Sequence, residues 1–110
     1  MNIEPQITFE GSISTDVKET ARTLIRTEME GLEARRPRVT ACRVSVAAPS
    51  NRHHQGGNFQ VHIWLTVPPH ENVVVNHEAT DDRKYERIDT AIKEAFATAR
   101  RQLDDLAKSS

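Results

Sequence analysis

The chain has 110 residues, 36% of them apolar and 28% charged, an ordinary globular composition and not that of a disordered or membrane protein. Its 15 Lys and Arg stand against 16 Asp and Glu, so bulk charge argues against tight, indiscriminate binding to polyanions, and any nucleic-acid site must come from a local arrangement of cations. A single cysteine, Cys42, excludes an internal disulfide and a multi-cysteine zinc site. No apolar run approaches the roughly 18 residues of a membrane span, and Met1-Asn2-Ile3-Glu4-Pro5 lacks the order of a signal peptide. The expectation is one cytoplasmic domain over residues 1–110, with an ordered core from about residue 5 to about residue 106.

The first element is a short alternating strand, Gln6 to Phe9, with Ile7 and Phe9 on its apolar side and a turn at Glu10-Gly11. Ser14-Thr15-Asp16 then offers side-chain oxygens to the free N–H groups of a first helical turn. Behind it Val17, Ala21, Leu24, Ile25, Met29 and Leu32 recur at steps of three and four, which predicts a helix of about four turns. Gly31 weakens its last turn and Pro37 closes the segment.

From Val39 to Ala48 the period changes to two, with Thr40, Cys42, Val44 and Val46 on one side and Ala41, Arg43 and Ser45 on the other. Cys42 within this strand reads as a small buried hydrophobe. Residues 49–58 are polar and glycine-containing, a long hairpin loop, and the next strand points Phe59, Val61, Ile63, Leu65 and Val67 inward. After a turn at Pro68-Pro69-His70-Glu71-Asn72 comes a last strand, Val73-Val74-Val75, and a polar connector from His77 to Asp82. Tyr85, Ile88, Ile92, Phe96, Ala99, Leu103 and Leu106 lie on one stripe of a second helix, with Asp81 and Asp82 suited to its positive end.

A helix between two strands suits a parallel pair joined by a crossover, and short hairpins suit antiparallel neighbours. The pattern therefore predicts an α+β fold of order β-α-β-β-β-α, a four-stranded mixed sheet with two helices packed on one face, in the layout of a double-stranded-RNA-binding domain. The other face would be open and would carry Arg43, Ser45, Gln60, His62, Trp64 and Thr66.

Several strings resemble the family of ribosome hibernation promoting factors and ribosome-associated inhibitor A, also called sigma-54 modulation proteins, with an S30AE-type domain. They are Gln6-Ile7-Thr8-Phe9, Cys42-Arg43-Val44 with Ala48-Pro49, Arg52-His53-His54, Val61-His62-Ile63 with Leu65-Thr66-Val67-Pro68, and Val73-Val74-Val75-Asn76. The most specific is the last helix, with Tyr85, Ile88-Asp89 and Ala99-Arg100-Arg101-Gln102-Leu103 at the family's spacings. The resemblance covers nearly the whole chain. It implies a stress-response translation inhibitor that binds the small ribosomal subunit and its rRNA in the mRNA and tRNA channel. It departs at Gly31, where the family carries a lysine, and at Arg35-Arg36, where an aromatic is common. The second domain with which longer members pair ribosomes has no counterpart here, which leaves direct ribosome dimerisation without an expected basis.

RNA binding needs cations spaced to meet phosphates. Lys18, Arg22 and Arg26 fall at i, i+4 and i+8 on one flank of the first helix. In the second helix Lys93 and Arg100 share a flank, while Arg83, Arg87 and Arg101 point away from the core. With both helices on one side of the sheet these cations would merge into a single surface. Arg52, His53 and His54 in the hairpin loop add donors. The candidate RNA-binding residues are thus Lys18, Arg22, Arg26, Arg52, His53, His54, Arg87, Lys93, Arg100 and Arg101. The alternative reading of the same charges is a solvated helix face interleaved with Glu19, Glu30, Glu86, Glu94 and Asp104.

Trp64 would sit on the open sheet face, where a subunit contact or cover by a loop is the leading reading and base stacking the alternative. A weak homodimer through that face is a further expectation. No nucleophile elbow, phosphate-cradling loop or helical histidine pair is present. No enzyme activity, metal, cofactor or small-molecule substrate is expected. Two readings stand beside ribosome binding: a protein-interaction module on the same fold, and a non-ribosomal double-stranded RNA binder.

Overall fold

The computed structural model describes residues 3–34, 38–48, 59–78 and 87–109. Its elements are β1 (Gln6–Glu10), α1 (Thr15–Glu33), β2 (Ala41–Ala47), β3 (Gln60–Thr66), β4 (Val73–Glu78) and α2 (Ile88–Ser109). The strands form one sheet in the order β1-β2-β3-β4. β1 runs parallel to β2, with Ile7 opposite Val44, and the other two pairs are antiparallel. This is the α+β arrangement that the periodicities predict.

Because successive strand residues point to opposite faces, one face of this sheet is apolar and buried. Val44, Val46, Val61, Ile63, Leu65, Val73 and Val75 fill it, and the helices cover it with Ala21, Ile25, Met29 and Leu32 from α1 and Ala91, Ile92, Ala95, Phe96, Ala99 and Leu103 from α2. Cys42 belongs to the same core, and burial pushes its thiol up from the ordinary 9.0 to about 12. It packs as a hydrophobe and stays protonated at neutral pH.

The start of α1 is chemically explicit. Ser14 has extended backbone (φ −65°, ψ 155°), its Oγ accepts from the Val17 N–H at 3.2 Å, and its carbonyl accepts from the Lys18 N–H at 2.9 Å. Asp16 adds negative charge in the first turn. The helix runs on through Gly31 for 19 residues, more than the four turns expected from its apolar stripe. At its far end the Glu33 carboxylate accepts from the Ile3 N–H at 2.7 Å and ties the N-terminal segment down.

Three boundaries differ from the sequence pattern. β4 continues to Glu78, so His77 and Glu78 are strand and not connector. The reason is pairing: Val61 lies opposite His77 and Gln60 opposite Glu78, where the Gln60 amide donates to the Glu78 carboxylate at 3.1 Å. Thr40 is exposed instead of sharing the inner face with Cys42, and Val39 is the buried residue. Regular strand begins only at Ala41, while Thr40 donates both its N–H and its hydroxyl to the Thr66 carbonyl. The tail beyond Leu106 remains helical to Ser109. Tyr85, Asp81 and Asp82, assigned to the second helix from the sequence, lie outside the described residues.

Two glycines predict opposite responses to the same substitution. Gly11 has φ +85°, and a Cβ there would lie 3.0 Å from the Ala48 Cβ, across the turn where the Ala48 N–H donates to the Glu10 carbonyl. Gly31 is helical, and a Cβ there meets nothing within 4 Å. In denaturant titrations Gly11→Ala should cost about 1–2 kcal/mol. Gly31→Ala should add roughly 0.5–1 kcal/mol. Equal signs for the two would contradict this reading of the backbone.

Candidate nucleic-acid interface

The parallel pairing of β1 and β2 sends α1 back across the buried face of the sheet, with one flank over the edge strand β1 and the other against α2. Lys18, Arg22 and Arg26 occupy the β1 flank. The Lys18 Nζ lies 5.9 Å and the Arg22 Cζ 5.2 Å from the centre of the Phe9 ring. One aromatic ring thus receives two cationic groups, both on half-buried side chains. The next cation, Arg26, meets Glu4 at 3.3 Å, with side chains 56% and 76% exposed. A pair so open to solvent is weak and free to exchange partners.

The opposite flank of α1 faces α2 across a groove of about 590 Å³ lined by Glu19, Thr23, Leu24, Thr27, Asp89 and Lys93. Further along, Thr27, Glu28, Gly31, Leu32, Phe96 and Arg100 enclose a smaller cleft of about 100 Å³. Lys93 and Arg100 therefore stand together on the α1-facing flank of α2, as their spacing predicts. Between them and Lys18, Arg22 and Arg26 lies the exposed side of α1, whose Glu19, Thr23 and Thr27 line that same groove. The single merged surface expected from the sequence is instead two cationic edges of one helix layer.

Arg87 is exposed just ahead of α2; its carbonyl accepts from the Ala91 N–H at 2.9 Å, and its guanidinium meets Asp89 at 3.3 Å. Arg101 is exposed on the outer side of α2 and donates to the Thr98 hydroxyl at 3.1 Å. Arg52, His53, His54 and Arg83 lie outside the described residues. Sequence reasoning missed Phe9 as the seat of Lys18 and Arg22, and Glu4 as the partner of Arg26. The alternation of β1 marked Phe9 only as inward, and nothing in a linear pattern says which helix flank will overhang it.

The outer sheet face carries the residues assigned to it: Arg43, Gln60 and Thr66 are exposed, and Ser45, His62 and Trp64 half-buried. Among the described residues no polar or charged side chain is buried, no group of three or more potential metal ligands occurs, and no helix is long and apolar enough to cross a membrane.

Fold and site together define a small α+β domain whose helix layer is edged by cations. Residues 7–108 match the family described as Sigma 54 modulation protein / S30EA ribosomal protein, and the chain belongs to that family. The fold is similar to the Protein Y N-terminal domain of Thermus thermophilus, with TM-score 0.61 and 16% identity over 96% of this chain and 99% of that one. It is also similar to a ribosomal subunit interface protein from Coxiella burnetii, with TM-score 0.57 and 14% identity over 98% and 99% of the two chains. No curated protein sequence matches the chain.

The seat formed by Phe9 can be measured by a double-mutant cycle. Phe9→Leu keeps an apolar side chain and removes the ring, and Arg22→Met keeps the stem and removes the charge. The two should couple by about 0.5–1 kcal/mol in denaturant unfolding. Additive effects would mean that the ring does not hold the cation.

Proposed function

We propose that the chain is a ribosome-associated translation inhibitor of the hibernation type, which binds the small subunit in the mRNA and tRNA channel through the cations of its helix layer. The observation that carries the proposal is the row Lys18, Arg22 and Arg26 along one flank of α1, two of them seated on Phe9, in a chain of the S30EA family. On a protein of net charge −1, attraction to rRNA has to be local, and such a row meets successive phosphates. Lys93 and Arg100 form the second edge of the contact, with Arg87 and Arg101 as outer cations. Arg52, His53 and His54 extend it from the loop. Occupation of the decoding channel excludes mRNA and tRNA sterically and requires no chemistry.

The family resemblance places a lysine where this chain has Gly31. That position opens on the cleft beside Arg100, with space for a side chain. A lysine there would extend the α2 edge, so its absence weakens the contact without removing it.

Cosedimentation with purified small subunits over a salt series tests the proposal. Lys18→Ala/Arg22→Ala/Arg26→Ala should weaken binding at least tenfold and reduce the log–log salt slope by about 2–3, near one per lost phosphate contact. Gly31→Lys should tighten it several-fold. A triple variant that cosediments like the parent at every salt concentration would overturn the assignment of this flank and favour an interaction module that binds protein.

A further inference from the structure

Nothing in the proposed ribosomal contact uses the outer face of the sheet, yet that face holds a built groove. Trp64 lies near its centre, on β3, half-buried and open on one side. Its cross-strand neighbours are Arg43 on β2 and Val74 on β4. The His62 ring stands 5.5 Å away and tilted by 48°, bracing the indole from along the strand. Toward the Ala41 end of β2 the surface sinks into a groove of about 560 Å³ that Trp64 and Arg43 share with Gln6, Thr66, Asn72 and Glu4. That volume is within the roughly 300–1,000 Å³ of sites that take small organic groups.

We propose that this groove binds an unpaired nucleotide of a single-stranded nucleic acid, with the base stacked on the Trp64 indole and the phosphate held by Arg43. An indole face accepts any base, and the adjacent guanidinium supplies a phosphate contact on this face. Gln6, Thr66 and Asn72 offer both donors and acceptors to base edge and sugar. The one acid lining the groove, Glu4, lies 3.3 Å from Arg26 in an exposed, weak pair, so it reduces the attraction of Arg43 for a phosphate without cancelling it. A second copy of the chain fits this face less well. Val74, at 43% exposure, is the only exposed large hydrophobic among the described residues, whereas the core of a dimer interface is apolar. A duplex fits less well too, since paired bases are stacked on each other and not available to the indole.

Trp64 and Arg43 lie on the sheet face away from the helices, and the site does not rest on the ribosome reading. Trp64 is the single tryptophan of the chain, so its emission reports the site directly. Titration of the full chain with a ten-nucleotide adenosine RNA should quench that emission saturably. Anisotropy of the labelled RNA should show binding weakened about tenfold or more by Trp64→Leu and largely retained by Trp64→Phe. Arg43→Ala should weaken binding and lower the salt slope by about 0.7, the value for one contact on a single strand. Lys18→Ala/Arg22→Ala should leave the quenching in place. The proposal is overturned by an emission unchanged at millimolar RNA, by equal quenching with a duplex, or by normal binding in folded Arg43→Ala and Trp64→Leu. An RNA-independent emission change that tracks dimerisation in sedimentation would also overturn it, in favour of a second copy.

Discussion

The parallel pairing of β1 with β2 is the constraint from which the rest of the molecule follows. A chain leaving the end of β1 must travel the length of the sheet before it can enter β2 in the same direction, and α1 is that return path. Its apolar stripe commits it to the inner face, where Ala21, Ile25, Met29 and Leu32 are buried. With the stripe down, rotation about the helix axis is settled, and in the structure Lys18, Arg22 and Arg26 overhang β1. Phe9 receives the first two of them, so a fold-level requirement becomes a placement of charge.

A protein without excess positive charge binds a polyanion through local cations. On α1 two of them, Lys18 and Arg22, share the Phe9 ring, while Arg26 meets Glu4, and Glu33 at the end of the helix accepts from the Ile3 N–H. Holding two like charges on one ring costs some repulsion, which the surrounding water and salt reduce. It also keeps the long side chains partly ordered before they meet a polyanion, which lowers the entropy lost on binding. The sheet has an outer face of different character, polar with Trp64 near its centre, so the two sides of the domain differ in chemistry.

Much of the fold was legible because buried faces leave a period. The alternation of β2 and β3 and the stripes of both helices are visible in the residues, and so is the N-cap at Ser14. The end of β4 was not, because Asn76, His77 and Glu78 are polar and become strand only through their partners on β3. The exposure of Thr40 was hidden for a related reason: its hydrogen bonds to the Thr66 carbonyl hold the chain before regular pairing begins. The candidate cations were legible one helix at a time. Their division into two edges was not, since a helical pattern gives the buried side but not which flank meets the neighbouring helix. The contact of Lys18 and Arg22 with Phe9 depends on that same undetermined flank.

Central to this picture is that the β1 flank of α1 lies against the ribosome when the chain is bound. Amine-reactive labelling of the complex with small subunits, read out by mass spectrometry, tests this directly, because the lysines report different parts of the surface. Lys18 is on the flank, Lys93 on the second edge and Lys108 in the last turn of α2. Lys18 should be protected strongly relative to the free chain, and Lys108 should label as it does in solution. Lys18 labelled equally in the free and bound chain would contradict the assignment of this flank.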